Sequence, residues 1–124
     1  MRKMIIMALA MIFFIIPVQT NCVTLIPMGE FCKTFYCPCY ECSEGFGRKT
    51  ASQTYAKAGR TVAVDPSVIN LGDKLLIDGE EYIAEDTGAG VVGDHVDIFV
   101  DTHDETIEGG VGRCDVKIVR KCKK

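Results

Sequence analysis

Tryptophan is absent from this chain, and aromatic residues of all kinds make up 8% of it. A basic excess is also missing: 14 Lys and Arg stand against 17 Asp and Glu. Of these, 12 of the 14 basic residues and all 17 acidic ones lie beyond residue 20, which leaves that part at about −5. Nonspecific nucleic-acid binding depends on basic patches, so it is excluded as a role. No G-x-S-x-G elbow is present, which removes a serine hydrolase of that type. There are no internal repeats and no low-complexity segments. The one long apolar run, Met4 to Val18, is interrupted by Pro17 and falls short of the ~20 residues a spanning helix needs.

That run follows Arg2 and Lys3 and ends in the polar Gln19-Thr20-Asn21, so residues 1–20 read as a secretory signal. An uncleaved anchor is the alternative, because Thr20 and Asn21 make a poor cleavage site. A lipoprotein reading of Cys22 is disfavoured, because the residues before it are not small. The expectation is a secreted or envelope-associated protein that meets a membrane through this segment alone. Roughly a hundred residues remain, enough for one compact domain and not two. A segment 21–34 precedes a domain expected over 35–124, taken as a monomer. The basic end Arg120-Lys121-Cys122-Lys123-Lys124 reads as a solvated tail.

Seven cysteines are many for this length. Cys32, Cys37, Cys39 and Cys42 cluster, with Cys114 and Cys122 near the far end. In an exported protein the simpler reading is one or two disulfides stapling a small fold. The spacing Cys37-x-Cys39-x-x-Cys42 leaves a thiolate zinc site as the alternative. No cofactor is otherwise called for. Seven is odd, so at least one thiol has another use.

The local pattern is that of short strands. Phe35 to Tyr40 reads as a strand and 41–59 as a long polar loop. Arg60 to Val64 is β-rich and stops at Asp65-Pro66, because Pro cannot donate to a ladder. Lys74 to Ile77 and Glu80 to Glu85 flank Asp78-Gly79, which predicts a two-residue hairpin. Alternation puts Tyr82, Ala84 and Asp86 on one face. Val96, Ile98 and Val100 give another strand, and Asp115 to Arg120 a last one. Thr102-His103-Asp104-Glu105 is a capping box opening a short helix that Gly109-Gly110 ends. About six strands and one helix predict an all-β, small barrel.

The segment Glu85 to Asp97 stands out, because Asp86 and Asp97 frame a Gly-rich loop and Asp65 ends an earlier strand. Three such carboxylates can do acid chemistry, bind a metal or cap turns. Asp65 before Pro66 and Asp86 before Thr87-Gly88 both suit ordinary turns. Asp97 sits between Val96 and Ile98 with no turn to cap, leaving an exposed edge position as its simplest structural explanation. His95 reads as a surface residue and His103 as a helix-start residue.

The ordered motifs Gly59-Arg60-Thr61-Val62-Ala63-Val64-Asp65-Pro66, Ala84-Glu85-Asp86-Thr87-Gly88 and Gly93-x-x-x-Asp97 resemble the three-Asp (3D) domain. Tyr36-Cys37-Pro38-Cys39, Thr50-Ala51-Ser52, Thr102-His103-Asp104-Glu105 and Gly110-Val111 extend the match to roughly 35–119. The resemblance implies a six-stranded double-psi β-barrel related to the catalytic barrel of murein lytic transglycosylase A. It also implies a peptidoglycan-cleaving activity on glycan strands in cell-wall turnover. In that mechanism one acid protonates the glycosidic oxygen between N-acetylmuramic acid and N-acetylglucosamine. Its carboxylate then takes the 6-hydroxyl proton as a 1,6-anhydro ring closes. By that likeness Asp97 is the catalytic acid, with Asp86 and Asp65 positioning it and Thr87 and Gly88 meeting substrate. Apolar Val96 and Ile98 and the charge of Asp86 are expected to raise its pKa. The chain departs from the pattern at Ala89, Val92 and His95. A noncatalytic carbohydrate-binding or structural wall protein, or a metal-binding module, remain the competing classes.

Overall fold

The computed structural model describes residues 10–123 of the 124. Residues 1–9 of the expected signal therefore lie outside the described residues. Among the described residues, no helix is long and apolar enough to cross a membrane. The described residues form six strands and one short helix: β1 Val23–Tyr36, β2 Thr61–Val64, β3 Lys74–Ile77, β4 Glu80–Asp86, β5 His95–Phe99, α1 His103–Gly109 and β6 Gly112–Lys121. The strands close into a barrel in the order β1-β5-β2-β4-β3-β6. Two pairs, β1 with β5 and β2 with β4, are parallel, and the double-psi description is consistent with them. Closure leaves no edge strand here, so the edge explanation of Asp97 does not apply.

The hairpin forms as its residues dictate. Asp78 (φ 49°) and Gly79 (φ 82°) both take positive φ, the requirement of a type I′ turn. The Asp78 carboxylate also accepts the Asp115 N–H (2.9 Å), tying the turn to β6. The capping box is present too, with Thr102 and Glu105 bonded reciprocally. Gly109 lets α1 lie against β1: a Cβ there would sit 2.4 Å from the Phe35 ring.

Two of the expected features are corrected. The first strand does not start at Phe35 but at Val23, so residues 23–34, read as a segment ahead of the barrel, are part of its wall. Pro27 and Gly29 hide this strand in the sequence, and the pairing with β6 shifts register between them. Residues beyond Tyr36 turn instead of extending. The second correction concerns β4. Val62 pairs with Ala84 but Ala63 pairs with Asp86, so one residue, Glu85, is bulged out. Strict alternation would keep Asp86 on the face of Tyr82 and Ala84. The bulge moves it to the other.

The two faces have different cores. Val62, Val64, Ala84, Val96 and Ile98 point into the barrel with Phe31, Leu75 and Val116. Ala63, Phe99 and Tyr36 point outward and are covered by the long loop, whose Ala56 packs on them. Burying a side chain such as Phe99 stabilises by about 1.5–3 kcal/mol. Arg48 locks this cover: its guanidinium lies 5.2 Å from the Phe99 ring centre and 2.9 Å from Asp101. Cys22 and Cys122 form a disulfide joining the start of β1 to the end of β6. Among the described residues, Cys32, Cys37, Cys39, Cys42 and Cys114 are free, so the one staple found joins the two ends of the barrel wall and leaves the cysteine cluster as thiols.

Candidate active site and cysteine cluster

The two-sided pairing of β2 builds the site. Ala63 faces Asp86 on one side and Asp97 on the other. Both carboxylates thus flank one small residue on the outer face of the barrel, under the long loop. Two strand spacings of about 4.8 Å put their backbones roughly 10 Å apart. A cleft of about 220 Å³ lies there, lined by Tyr36, Phe46, Lys49, Ala51, Ala63, Asp86, Thr87 and Asp97 among others. It is smaller than the ~300–1,000 Å³ of pockets that engulf a drug-sized ligand.

The two acids are held differently. Asp86 is fully engaged. Its Oδ1 accepts the N–H groups of Ala51 (3.0 Å) and Thr87 (2.9 Å), and its Oδ2 accepts the Tyr36 hydroxyl (2.8 Å). Burial, then the bond to Asp86, pushes the Tyr36 phenol up, so it stays a donor. Asp97 has one side-chain partner, the Thr34 hydroxyl, which donates to its Oδ1 at 2.8 Å. Burial is the largest influence and raises the Asp97 carboxyl above its ordinary range. Thr34 and His95 pull the other way, and the charge of Asp86 adds to the rise. Val96 and Ile98, expected to supply the apolar surroundings, point into the barrel instead. The cover comes from the loop, Tyr36 and Ala63.

Thr34 also touches His95, with Oγ1 2.7 Å from Nε2. The other ring nitrogen, Nδ1, lies 3.1 Å from the Gly90 carbonyl, which can only accept, so Nδ1 carries a proton. The Thr34 hydroxyl has one proton to give. That proton goes to the Asp97 carboxylate, and His95 lies on the other side of the same hydroxyl.

Asp65 stands apart. Its carboxylate accepts Gly93 N–H (2.8 Å), Ser67 N–H (2.9 Å) and Ser67 O–H (2.7 Å), and it does not line the cleft. Those bonds, Gly93 first, lower its pKa. It pins the end of β2 to the loop before β5, the turn role its sequence also suited. Thr87 lines the cleft and Gly88 does not; a Cβ on Gly88 would press Val91 at 3.1 Å. Ala89 takes no positive φ, so the loop tolerates it, and Val92 is exposed.

Sequence reasoning missed Thr34, the backbone N–H of Ala51 and the site role of Tyr36. Thr34 and Tyr36 are two apart, the spacing of one strand face, but a strand read from Phe35 onward leaves Thr34 outside it. It also missed His103. Its Nδ1 lies 3.8 Å from Cys37 Sγ, 3.7 Å from Cys39 Sγ and 3.4 Å from Cys42 Sγ.

Comparison with known proteins adds to these observations. Residues 60–120 match the family model of the 3D domain. The cell wall-binding protein YocH of Bacillus subtilis is 38% identical over 61 residues, 48% of this chain and 21% of that protein. The putative cell wall shaping protein YabE of the same organism is 36% identical over 61 residues, 48% of this chain and 15% of its own length. The chain thus spans about a fifth or less of these relatives. Among solved structures, the lytic transglycosylase MltA of Escherichia coli superposes with a TM-score of 0.53 at 22% identity over 60% of this chain and 28% of that one. LtgG of Burkholderia pseudomallei, also a lytic transglycosylase, gives 0.55 at 19% over 60% and 27%. At such identities the likeness is one of fold. Residues 60–120 thus match the 3D domain within a six-stranded barrel whose fold is like that of MltA.

Proposed function

We propose that this protein cleaves peptidoglycan glycan strands as a lytic transglycosylase, with Asp97 as the single acid and base. The observation that carries this is the unequal bonding of the two carboxylates. Asp86 has both oxygens occupied by three donors, which fixes it in place and leaves it unsuited to attack. Asp97 is half-buried, holds its proton above the ordinary range and keeps Oδ2 without a side-chain partner among the described residues. A hydrolase would need both carboxylates working across the bond. Here one works and the other is tied down, which matches a mechanism in which the sugar's own hydroxyl is the nucleophile.

In the first step Asp97 protonates the glycosidic oxygen. Asp86 then stabilises positive charge developing on the sugar ring. In the second step the Asp97 carboxylate takes the 6-hydroxyl proton, with the Thr34 hydroxyl holding that carboxylate in place. Thr87 and Lys49 line the cleft where the glycan would lie. Asp65 acts at a distance, by holding the loop. The proposed setting is the cell envelope or the medium, reached through the N-terminal signal, with glycan strands as partner. The name of YocH supports a second reading, a barrel that binds wall without cutting it.

Purified protein incubated with peptidoglycan, its products read by mass spectrometry, separates the two. 1,6-Anhydromuropeptides released by the wild type and not by Asp97→Ala support the proposal. Sedimentation with peptidoglycan and no anhydro product supports the binding reading. Full activity in a folded Asp97→Ala protein overturns the assignment of the acid.

A further inference from the structure

Beside the cleft, four donor atoms converge that the proposed reaction does not use: the thiol sulfurs of Cys37, Cys39 and Cys42 and Nδ1 of His103, all within 4.8 Å of one another. We propose that they form a structural zinc site of the Cys3His type. A tetrahedral zinc with bonds of about 2.3 Å to sulfur and about 2.0 Å to nitrogen would set S···N edges near 3.5 Å. The three observed S···N separations, 3.4, 3.7 and 3.8 Å, bracket that value. Three cysteines cannot all pair with one another as disulfides, whereas one ion satisfies all three and the histidine.

The surrounding structure is shaped for ligation. The Cys39–Cys42 turn brings the Cys42 N–H to 3.4 Å from Cys39 Sγ, a bond that disperses thiolate charge. Next to it, buried Ser43 donates to the Cys39 carbonyl (2.7 Å) and accepts the Gly47 N–H (2.9 Å), so the turn is rigid before any ion arrives. His103 reaches in from a different part of the chain, at the first residue of α1, whose start the capping box fixes. Cys37 is buried and His103 exposed, which leaves an entry path from solvent. Four protein ligands fill a tetrahedron and leave no position for a reacting water, so the site is structural.

Its consequence falls on the cleft. Cys42, Ser43, Glu44, Phe46 and Gly47 form one wall of that cavity. An ion at the cluster fastens this wall to α1 and, through Cys37, to the end of the strand carrying Thr34 and Tyr36. The proposal does not depend on the reaction proposed above, and its test reads the metal directly.

The full chain, purified without chelator and dialysed, is assayed for metal by elemental analysis and for thiols in the native state. About one zinc per chain is expected. His103→Ala and, separately, Cys39→Ser should each weaken zinc binding by roughly 100-fold or more, whereas Cys114→Ser retains it. Replacement by cobalt should give thiolate charge-transfer bands and the strong visible absorption of a tetrahedral ion. A metal-free protein with Cys37, Cys39 or Cys42 in a disulfide overturns the proposal. So does zinc content unchanged in both His103→Ala and Cys39→Ser.

Discussion

Replacing Thr34 by valine keeps the shape of the side chain and removes the one hydroxyl bonded to Asp97. A hydrogen bond to a charged group contributes about 1.5–3 kcal/mol, and one pH unit corresponds to about 1.4 kcal/mol. Losing the donor should therefore raise the Asp97 pKa further, by between about 1 and 2 units. The groups that still face it, Asp86 and His95, oppose each other and remain in place. The shift can be followed without activity, by carboxyl carbon NMR titration of the folded protein, with the Asp97 signal assigned by its loss in Asp97→Asn. In the lytic assay, the limb where activity falls with rising pH should move up by the same amount. An Asp97 midpoint that stays put or falls in Thr34→Val would refute the argument that this hydroxyl holds the carboxylate.

Asp97→Asn should leave the protein more stable than the wild type at neutral pH. Folded Asp97 keeps its proton to higher pH than an unfolded Asp, which titrates near 3.9. Between those two values the folded state binds more protons, so wild-type stability falls as pH rises through that window and stays lower above it. Asparagine does not titrate, so the stability difference, read by denaturant unfolding, should open as pH rises and not as it falls. The double variant Cys22→Ser/Cys122→Ser opens a closure of 100 residues, for which chain entropy assigns about 4.7 kcal/mol. A loss under ~1 kcal/mol by the same measurement would mean that the unfolded chain gains little freedom from the cut.

Much of the fold was legible because it is local. Asp78-Gly79 named its own turn, and Thr102 to Glu105 named its own helix start. The runs at 61–64, 74–77 and 115–120 alternate or end in ways that short range explains. The site was legible as two acids and Thr87, and no further. What places Asp86 beside Asp97 is a bulge at Glu85, a slip of one residue that no alternation rule announces. What bonds the acids is β1, whose Thr34 pairs with Asp97 across 63 residues. His103 joins the cysteines across a similar span, and as a lone histidine at a helix start its sequence gave no reason to look there. Pairing at such range is decided by closure of the barrel, which the sequence encodes only as a whole.

The parallel pairing of β1 with β5 also dictates an order of assembly. β1 bonds to β5 and β6, both from the far half of the chain. The strand synthesised first thus finds its neighbours last, and contacts so distant in sequence form slowly. Until then Thr34 and Tyr36 have no acid to hold, and Cys22 has no partner within reach. The residues matched to the 3D family carry the acids but not this strand. A fragment limited to 60–120 would keep both aspartates yet lack the hydroxyls that make them different from each other.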